Sequence, residues 1–304
     1  VAAYKAEMEA RYGAGNVTLV DAGDAIQGGP IGTLSKGSYI VDIMNEVGYD
    51  LAIPGNHEFD YGYQNLKDLE ADADFTIVDA NVLYNGQVAF EDNVVFTAPD
   101  GTKIGVFGLD TPETATKAHP AKIQGVTFLA GDKMFDCAQD QVDALEAEGC
   151  EYIICLGHLG IDAESTGNRS IDLLEKVDGI DVFIDGHSHE TYEETVKNKD
   201  GEEVTLAQTG TKLASLGKVV IDTKTGDVTA ELVSGYDKQD ADTVAYVAKV
   251  NDEFSGVLQK VVAKSDVELT TKDPATGKRA VRNAETNLGD LICDALVWGA
   301  EREG

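Results

Sequence analysis

The sequence predicts an α/β fold in which two sheets pack face to face between flanking helices. Three observations carry this. Short apolar runs alternate with segments of helical periodicity over residues 1–80 and 131–185. From Asn81 to Leu109, and again over 190–233, the pattern changes to alternating strands joined by tight-turn dipeptides. Four of the apolar runs end in Asp, Asn or His, the residue types that α/β sheets deliver to a site at their strand ends.

Taken in order, residues 1–12 predict a helix with Tyr4, Met8 and Tyr12 on one face, stopped by Gly13-Ala14-Gly15-Asn16. A strand over 17–20 leads to Asp21 and Asp24, and Gly28-Gly29-Pro30 is a turn. A helix over 32–47 presents Ile40, Ile43, Met44 and Val47. Next come a strand over 50–53, ended by Pro54-Gly55, a helix over 63–71 and a strand over 75–78. Asn85-Gly86 and Asp100-Gly101 are hairpin turns. Helix 131–148, strand 151–156, helix 169–177 and strand 181–185 restore the α/β rhythm. Lys199-Asp200-Gly201 and Thr225-Gly226 turn the later strands. A long helix over 243–260 resembles a connector, and a further helix begins near Glu285.

Composition narrows the function classes. A hydrophobic fraction of 42% supports a sizeable core. No apolar run approaches the roughly 20 residues of a membrane span. Lys and Arg number 24 against 55 Asp and Glu, a net charge of −31 that repels nucleic acid polymers and anionic membranes. A phosphorylated substrate is repelled too, unless bound cations reverse the potential locally. Cys137, Cys150, Cys155 and Cys293 form no CxxC pair. Cys137 and Cys150 stand at opposite ends of one predicted helix, about 20 Å apart and beyond disulfide reach. The chain opens on a polar, helix-like segment with no signal-peptide pattern.

Of the five histidines, four lie after predicted strands: His57, His158, His187 and His189. His119 reads as an exposed loop residue. A dinuclear site needs a bridging carboxylate and neutral donors to complete each shell. Asp24 suits the bridge, Asn56 offers an amide oxygen, and His158 and His187 offer imidazoles. His187 and His189 differ by two, so extended backbone would point both to one side. Nitrogen and oxygen donors without a thiolate favour Zn²⁺, Mn²⁺ or Fe. His57 and Asp60, three apart, match an acid–base pair in which a carboxylate orients an imidazole. Asp60 can also be read as a turn-stabilising residue. Glu58, Asp21 and Asp110 are either outer partners of the site or turn and surface groups.

The strings Gly23-Asp24-Ala25-Ile26-Gln27-Gly28, Gly55-Asn56-His57-Glu58-Phe59-Asp60-Tyr61-Gly62, Gly157-His158 and Gly186-His187-Ser188-His189 carry a resemblance. In this order they resemble the calcineurin-like metallophosphoesterase domain of bacterial 5′-nucleotidases, a family that includes UDP-sugar hydrolases and 2′,3′-cyclic-nucleotide phosphodiesterases. The resemblance implies a four-layer αββα sandwich with two divalent metal ions. By position Asp24 bridges, Asn56, His158 and His187 complete one metal, His189 belongs to the other, and His57 with Asp60 is the catalytic pair. It further implies hydrolysis of nucleoside 5′-monophosphates outside the cytoplasm. A 3′-nucleotidase/cyclic-phosphodiesterase or UDP-sugar hydrolase is the alternative, and an inactive surface binding module the alternative outside enzymes.

Two departures shape the expectations. The family's Asp-x-His motif would lie before Val1, and Thr286-Asn287-Leu288-Gly289-Asp290 resembles the opening of its C-terminal domain. The expected organisation is therefore 1–235 as the metallophosphoesterase domain without its first strand, and 236–304 as a connector helix and the start of a nucleotide-binding domain. At most one metal is expected in this chain, with little activity of its own.

Overall fold

In the computed structural model, which describes residues 1–281 and 283–303, the chain opens on α1 (Ala2–Tyr12) and enters β1 (Val20–Asp21). The helix predicted over 32–47 is two helices, α2 (Pro30–Ser35) and α3 (Ser38–Val47). They are separated by Lys36 and Gly37 at φ 53° and 95°, a left-handed pair that ends one helix and re-aims the next. Then follow β2 (Leu51–Ala52), α4 (Tyr63–Asp72) and β3 (Thr76–Ile77). The sheet β1-β2-β3 is parallel, with Val20 opposite Leu51 and Leu51 opposite Thr76. Its strands are shorter than the apolar runs that predict them. Single bonds such as Asp50 N to Leu19 O (2.9 Å) and Ile53 N to Asp21 O (3.1 Å) continue the pairing past the ladder.

A small sheet holds β4 (Val82–Tyr84), β5 (Gln87–Val88) and a later strand, β8 (Val126–Phe128). Between them lie β6 (Asn93–Thr97), β7 (Lys103–Asp110) and the single turn α5 (Thr114–Lys117). Beyond come α6 (Asp132–Ala147), β9 (Tyr152–His158), α7 (Ser170–Leu174) and β10 (Val182–Ile184). Two hairpins follow, β11 (Thr191–Lys197) with β12 (Glu203–Thr209) and β13 (Ser215–Asp222) with β14 (Asp227–Ser234). The main sheet runs β11-β12-β10-β9-β7-β6, parallel at its centre with an antiparallel strand at each edge.

Burial sets the layers. Leu51, Ile53 and Val78 of the parallel sheet pack on Val106 and Leu156 of the main sheet. Outside the main sheet, Met134, Ala138, Val142 and Leu145 of α6 cover Phe107, Leu109 and Phe183. Outside the parallel sheet, Val41 and Met44 of α3 and Leu66 and Leu69 of α4 cover Ala52 and Ile77. The result is helices, sheet, sheet, helices. Each fully buried Leu or Phe here contributes about 1.5–3 kcal/mol of transfer free energy. The strand ends that carry Asp24, Asn56, His158 and His187 meet at one rim between the sheets.

The helix predicted over 169–177 is confined to Ser170–Leu174, and β9 extends past 156 so that His158 is its last residue. The chain divides into a unit Val1–Phe254 and a second unit from Ser255 on. α8 (Ala241–Leu258) carries Glu253 and Phe254, which engage Tyr39 by a 2.6 Å hydrogen bond and an edge-to-face contact at 5.2 Å. In the second unit, α9 (Asn287–Glu303) begins at Asn287, whose amide bonds the Glu268 carbonyl and the Thr270 N–H. No helix among the described residues is long and apolar enough to cross a membrane.

Candidate metal centre

The loop after β1 places Asp24 at φ 64°, following Gly23 at φ 90°. A non-glycine residue there carries a steric penalty of about 1–2 kcal/mol, so something must hold it. Glu58 does so. Its Oε2 accepts the Asp24 N–H at 2.8 Å and the Gly55 N–H at 2.6 Å, and its Oε1 accepts the Ile26 N–H at 3.2 Å. This buried carboxylate ties the loop after β1 to the loop after β2. Burial and the Asp24 charge push its pKa up to about 7, against the pull of those amides. Asp24 Oδ1 in turn accepts the His57 N–H at 2.9 Å. The fit leaves no room at Gly55: a Cβ there would stand 2.5 Å from Asp24 Oδ1 and 2.7 Å from His158 Nε2.

His158, 1% exposed, closes the rim from β9. Its Nδ1 donates to the Ala22 carbonyl at 2.5 Å, and its Nε2 lies 3.3 Å from Asp24 Oδ2. Burial alone would lower its pKa, but the Asp24 charge outweighs that and raises it to about 10. Burial would likewise raise Asp24, yet the His158 charge holds it far below the ordinary carboxylate range. The His187 ring stands edge-on to His158 at 5.1 Å. Burial, then the neighbouring His158, lower its pKa.

The loop carrying His187 and His189 is not extended. Both residues are left-handed, at φ 74° and 59°, so strand alternation does not govern where their rings point. Gln208 of β12 holds this conformation: its Nε2 donates to the Gly186 carbonyl at 2.6 Å and its Oε1 accepts the Glu190 N–H at 2.9 Å. Asp185 adds a second tie, accepting from Leu159 N, Gly160 N and Gly186 N at 2.9–3.0 Å. His189 itself is exposed, and no hydrogen bond among the described residues links it to the other candidate donors.

Three candidate donor atoms are buried without a hydrogen-bond partner: Asn56 Oδ1, His158 Nε2 and His187 Nδ1. Buried polar atoms are ordinarily paired, so these orphans, one of them 3.3 Å from Asp24 Oδ2, are atoms that a bound cation would satisfy. Counting only His, Cys, Asp and Glu, no three side chains among the described residues are drawn close enough to hold an ion. Asp24 and His158 touch, while His187 Nε2 is engaged on its far side by Glu113. One carboxylate, one amide and two imidazoles suit Zn²⁺, Mn²⁺ or Fe.

His57 and Asp60 are brought together beside this group, with His57 Nδ1 2.7 Å from Asp60 Oδ2. The His57 side chain is 40% exposed, open to an incoming ligand. Of the outer candidates, Asp21 accepts the Gly23 N–H at 3.0 Å, and Asp110 accepts from Thr111 N and Thr114 Oγ1 while standing opposite His158 in the sheet. His119 is exposed and caps a single turn through Ala121 N. Sequence reading missed Glu113, Asp185 and Gln208. Their partners lie 74, 25–26 and 18–22 residues away, apart from Gly186 next to Asp185, and only the strand order reveals these contacts.

Fold and rim together define a phosphoesterase architecture, and the comparisons agree. The profile of the calcineurin-like phosphoesterase family matches residues 5–191, and the chain belongs to that family. It is similar to the trifunctional nucleotide phosphoesterase protein YfkN of Bacillus subtilis, 29% identical over 93% of this chain and 21% of YfkN. It is also 29% identical to a snake venom 5′-nucleotidase of Gloydius brevicauda, over 97% of this chain and 52% of the venom protein. Among solved structures, a 5′-nucleotidase precursor of Thermus thermophilus superposes with a TM-score of 0.79 at 27% identity, over 100% of this chain and 61% of that one. The chain thus spans about half the length of the curated 5′-nucleotidases it matches and a fifth of YfkN.

Proposed function

We propose that this chain carries the hydrolytic centre of a metal-dependent phosphatase acting on nucleoside 5′-monophosphates. The observation that carries the reading is the trio of orphaned atoms on Asn56, His158 and His187, of which His158 Nε2 lies 3.3 Å from the Asp24 carboxylate and the His187 ring 5.1 Å from that of His158. These four side chains would hold one divalent cation, which supplies positive charge to phosphate oxygens and acidifies a water. The remaining work falls to the chain's own groups. Asp60 accepts from His57 Nδ1 and keeps the imidazole turned so that Nε2 is free. There it stabilises charge on the phosphoryl group or hands a proton to the leaving oxygen. Glu58 keeps the Asp24 and Asn56 loops at a fixed separation.

A second cation position would have only Asp24 and the exposed His189 from this chain. Nucleotide substrates are proposed because the relatives are named as nucleotide phosphoesterases and 5′-nucleotidases. We propose likewise that 1–235 is the catalytic domain and 236–304 a connector and the beginning of a nucleotide-binding unit. Extracytoplasmic placement is proposed from the snake venom relatives. The test is orthophosphate release from AMP and from an oligonucleotide with Zn²⁺ or Mn²⁺ supplied. Release from AMP that Asn56→Ala abolishes supports the reading; preference for the oligonucleotide, or release untouched by the substitution, contradicts it.

A further inference from the structure

His187 meets two side chains at one nitrogen. Its Nε2 lies 3.0 Å from Glu113 Oε2 and 3.2 Å from Lys117 Nζ, and Lys117 Nζ is 2.7 Å from the same Glu113 oxygen. Glu113 and Lys117 belong to one turn, with the Glu113 carbonyl accepting the Lys117 N–H at 2.9 Å. The His187 ring is 5% exposed and its Nδ1 is buried without a partner.

Two neutral tautomers are possible, and the contacts decide between them. If Nδ1 carried the proton, Nε2 would accept from Lys117. The Glu113 carboxylate would then face an imidazole lone pair at 3.0 Å, acceptor against acceptor, and a buried N–H at Nδ1 would go unpaired. If Nε2 carries the proton, Glu113 Oε2 accepts from both His187 and Lys117. The Lys117 ammonium then stands beside the Nε2–H at 3.2 Å, but both donors converge on the one Glu113 oxygen. No acceptor faces another, and the orphan at Nδ1 is a lone pair. An unpaired buried donor or acceptor costs about 1–3 kcal/mol, so Nδ1 bears that cost in either tautomer, but only as a lone pair can it be satisfied by a cation.

We propose that Glu113 is a positioning residue that fixes His187 as the Nε2–H tautomer, so that the lone pair presented to Asp24, Asn56 and His158 is that of Nδ1. The purpose given to it rests on the metal reading above. His158 is oriented by the same logic with backbone in place of a side chain, since its Nδ1 is taken by the Ala22 carbonyl and Nε2 is left to the site. Carboxylates or carbonyls behind metal-binding imidazoles set tautomer, orientation and basicity.

The experiment has two readouts, neither of them turnover. Long-range ¹H–¹⁵N spectra of the metal-free, ¹⁵N-labelled chain contain five imidazoles, and His187→Ala identifies the one of interest. The expected result is a protonated Nε2 and a bare Nδ1 in the wild type, with that single state lost in Glu113→Ala. Zinc affinity, measured by chelator competition on variants shown to be folded by circular dichroism, should fall about 10–100-fold in Glu113→Ala. Glu113→Gln, which keeps an accepting oxygen, should fall less. A wild type protonated at Nδ1, or a Glu113→Ala chain with unchanged tautomer and zinc affinity, overturns the assignment. If Glu113→Ala does not fold, the wild-type tautomer and the Glu113→Gln affinity decide in the same sense. Zinc binding that His187→Ala leaves untouched overturns the metal reading itself. Weakening by His187→Ala with none by Glu113→Ala overturns the role of Glu113 alone.

Discussion

His57 and His158 show how two imidazoles beside the same carboxylate take different work. His158 is enclosed, its Nδ1 spent on a backbone carbonyl, and its remaining nitrogen faces Asp24. His57 touches Asp24 only through its backbone N–H, and its ring is open to solvent and held by Asp60. His57→Ala should therefore leave zinc affinity unchanged and lower phosphate release about 10²–10⁴-fold, the usual range for a lost acid–base or charge-stabilising group. Loss of zinc together with activity would show that His57 is a donor. The sequence made Asn56, His57 and Asp60 legible because all three sit in one loop behind one breaker pair. Glu113 was not legible, because nothing in Pro112-Glu113-Thr114 points to a histidine 74 residues later.

At the scale of elements, the strand-end pattern identified the rim, while strand alternation misjudged the loop after β10. Alternation holds only where a ladder enforces it, and past Ile184 the backbone is held by Asp185 and Gln208 instead. The helix over 32–47 failed because the apolar face that predicts it, with Ile40, Val41 and Met44 in the cluster or at its edge, belongs to Ser38–Val47 alone. In α2, before the Lys36-Gly37 break, only Gly32 is buried and Leu34 is exposed. The ends of the strands also bury acids. Asp79 is fully buried, with Oδ1 accepting from Asn81 N and Val82 N at 3.0 Å and Oδ2 unpaired. Burial pushes its pKa up to about 8, and burial with the Asp79 charge pushes Asp110 well above the ordinary carboxylate range. An unfolded Asp titrates near 3.9, so between about pH 4 and about pH 8 the folded chain keeps protons that the unfolded chain has released. Stability should fall as pH rises through that window. Asp79→Asn, which mimics the protonated acid, should flatten the fall, as read from Tm at several pH values. Equal slopes in the two proteins would contradict this.

For the molecule as a whole, the charge of −31 and the proposed anionic substrate are in tension. Raising ionic strength from about 0.01 to about 0.15 M shortens the screening length from about 30 to about 8 Å. The KM for AMP should fall over that range, and a KM that rises with salt would point to a basic surface steering the substrate instead. All of this depends on whether Asp24, Asn56, His158 and His187 hold a cation. The direct measurement is an anomalous difference map from crystals of this chain soaked in Mn²⁺. The account expects one strong peak within bonding distance of Asp24, Asn56 Oδ1, His158 Nε2 and His187 Nδ1. A map with no peak there, or with its strongest peak on another group of side chains, would contradict it.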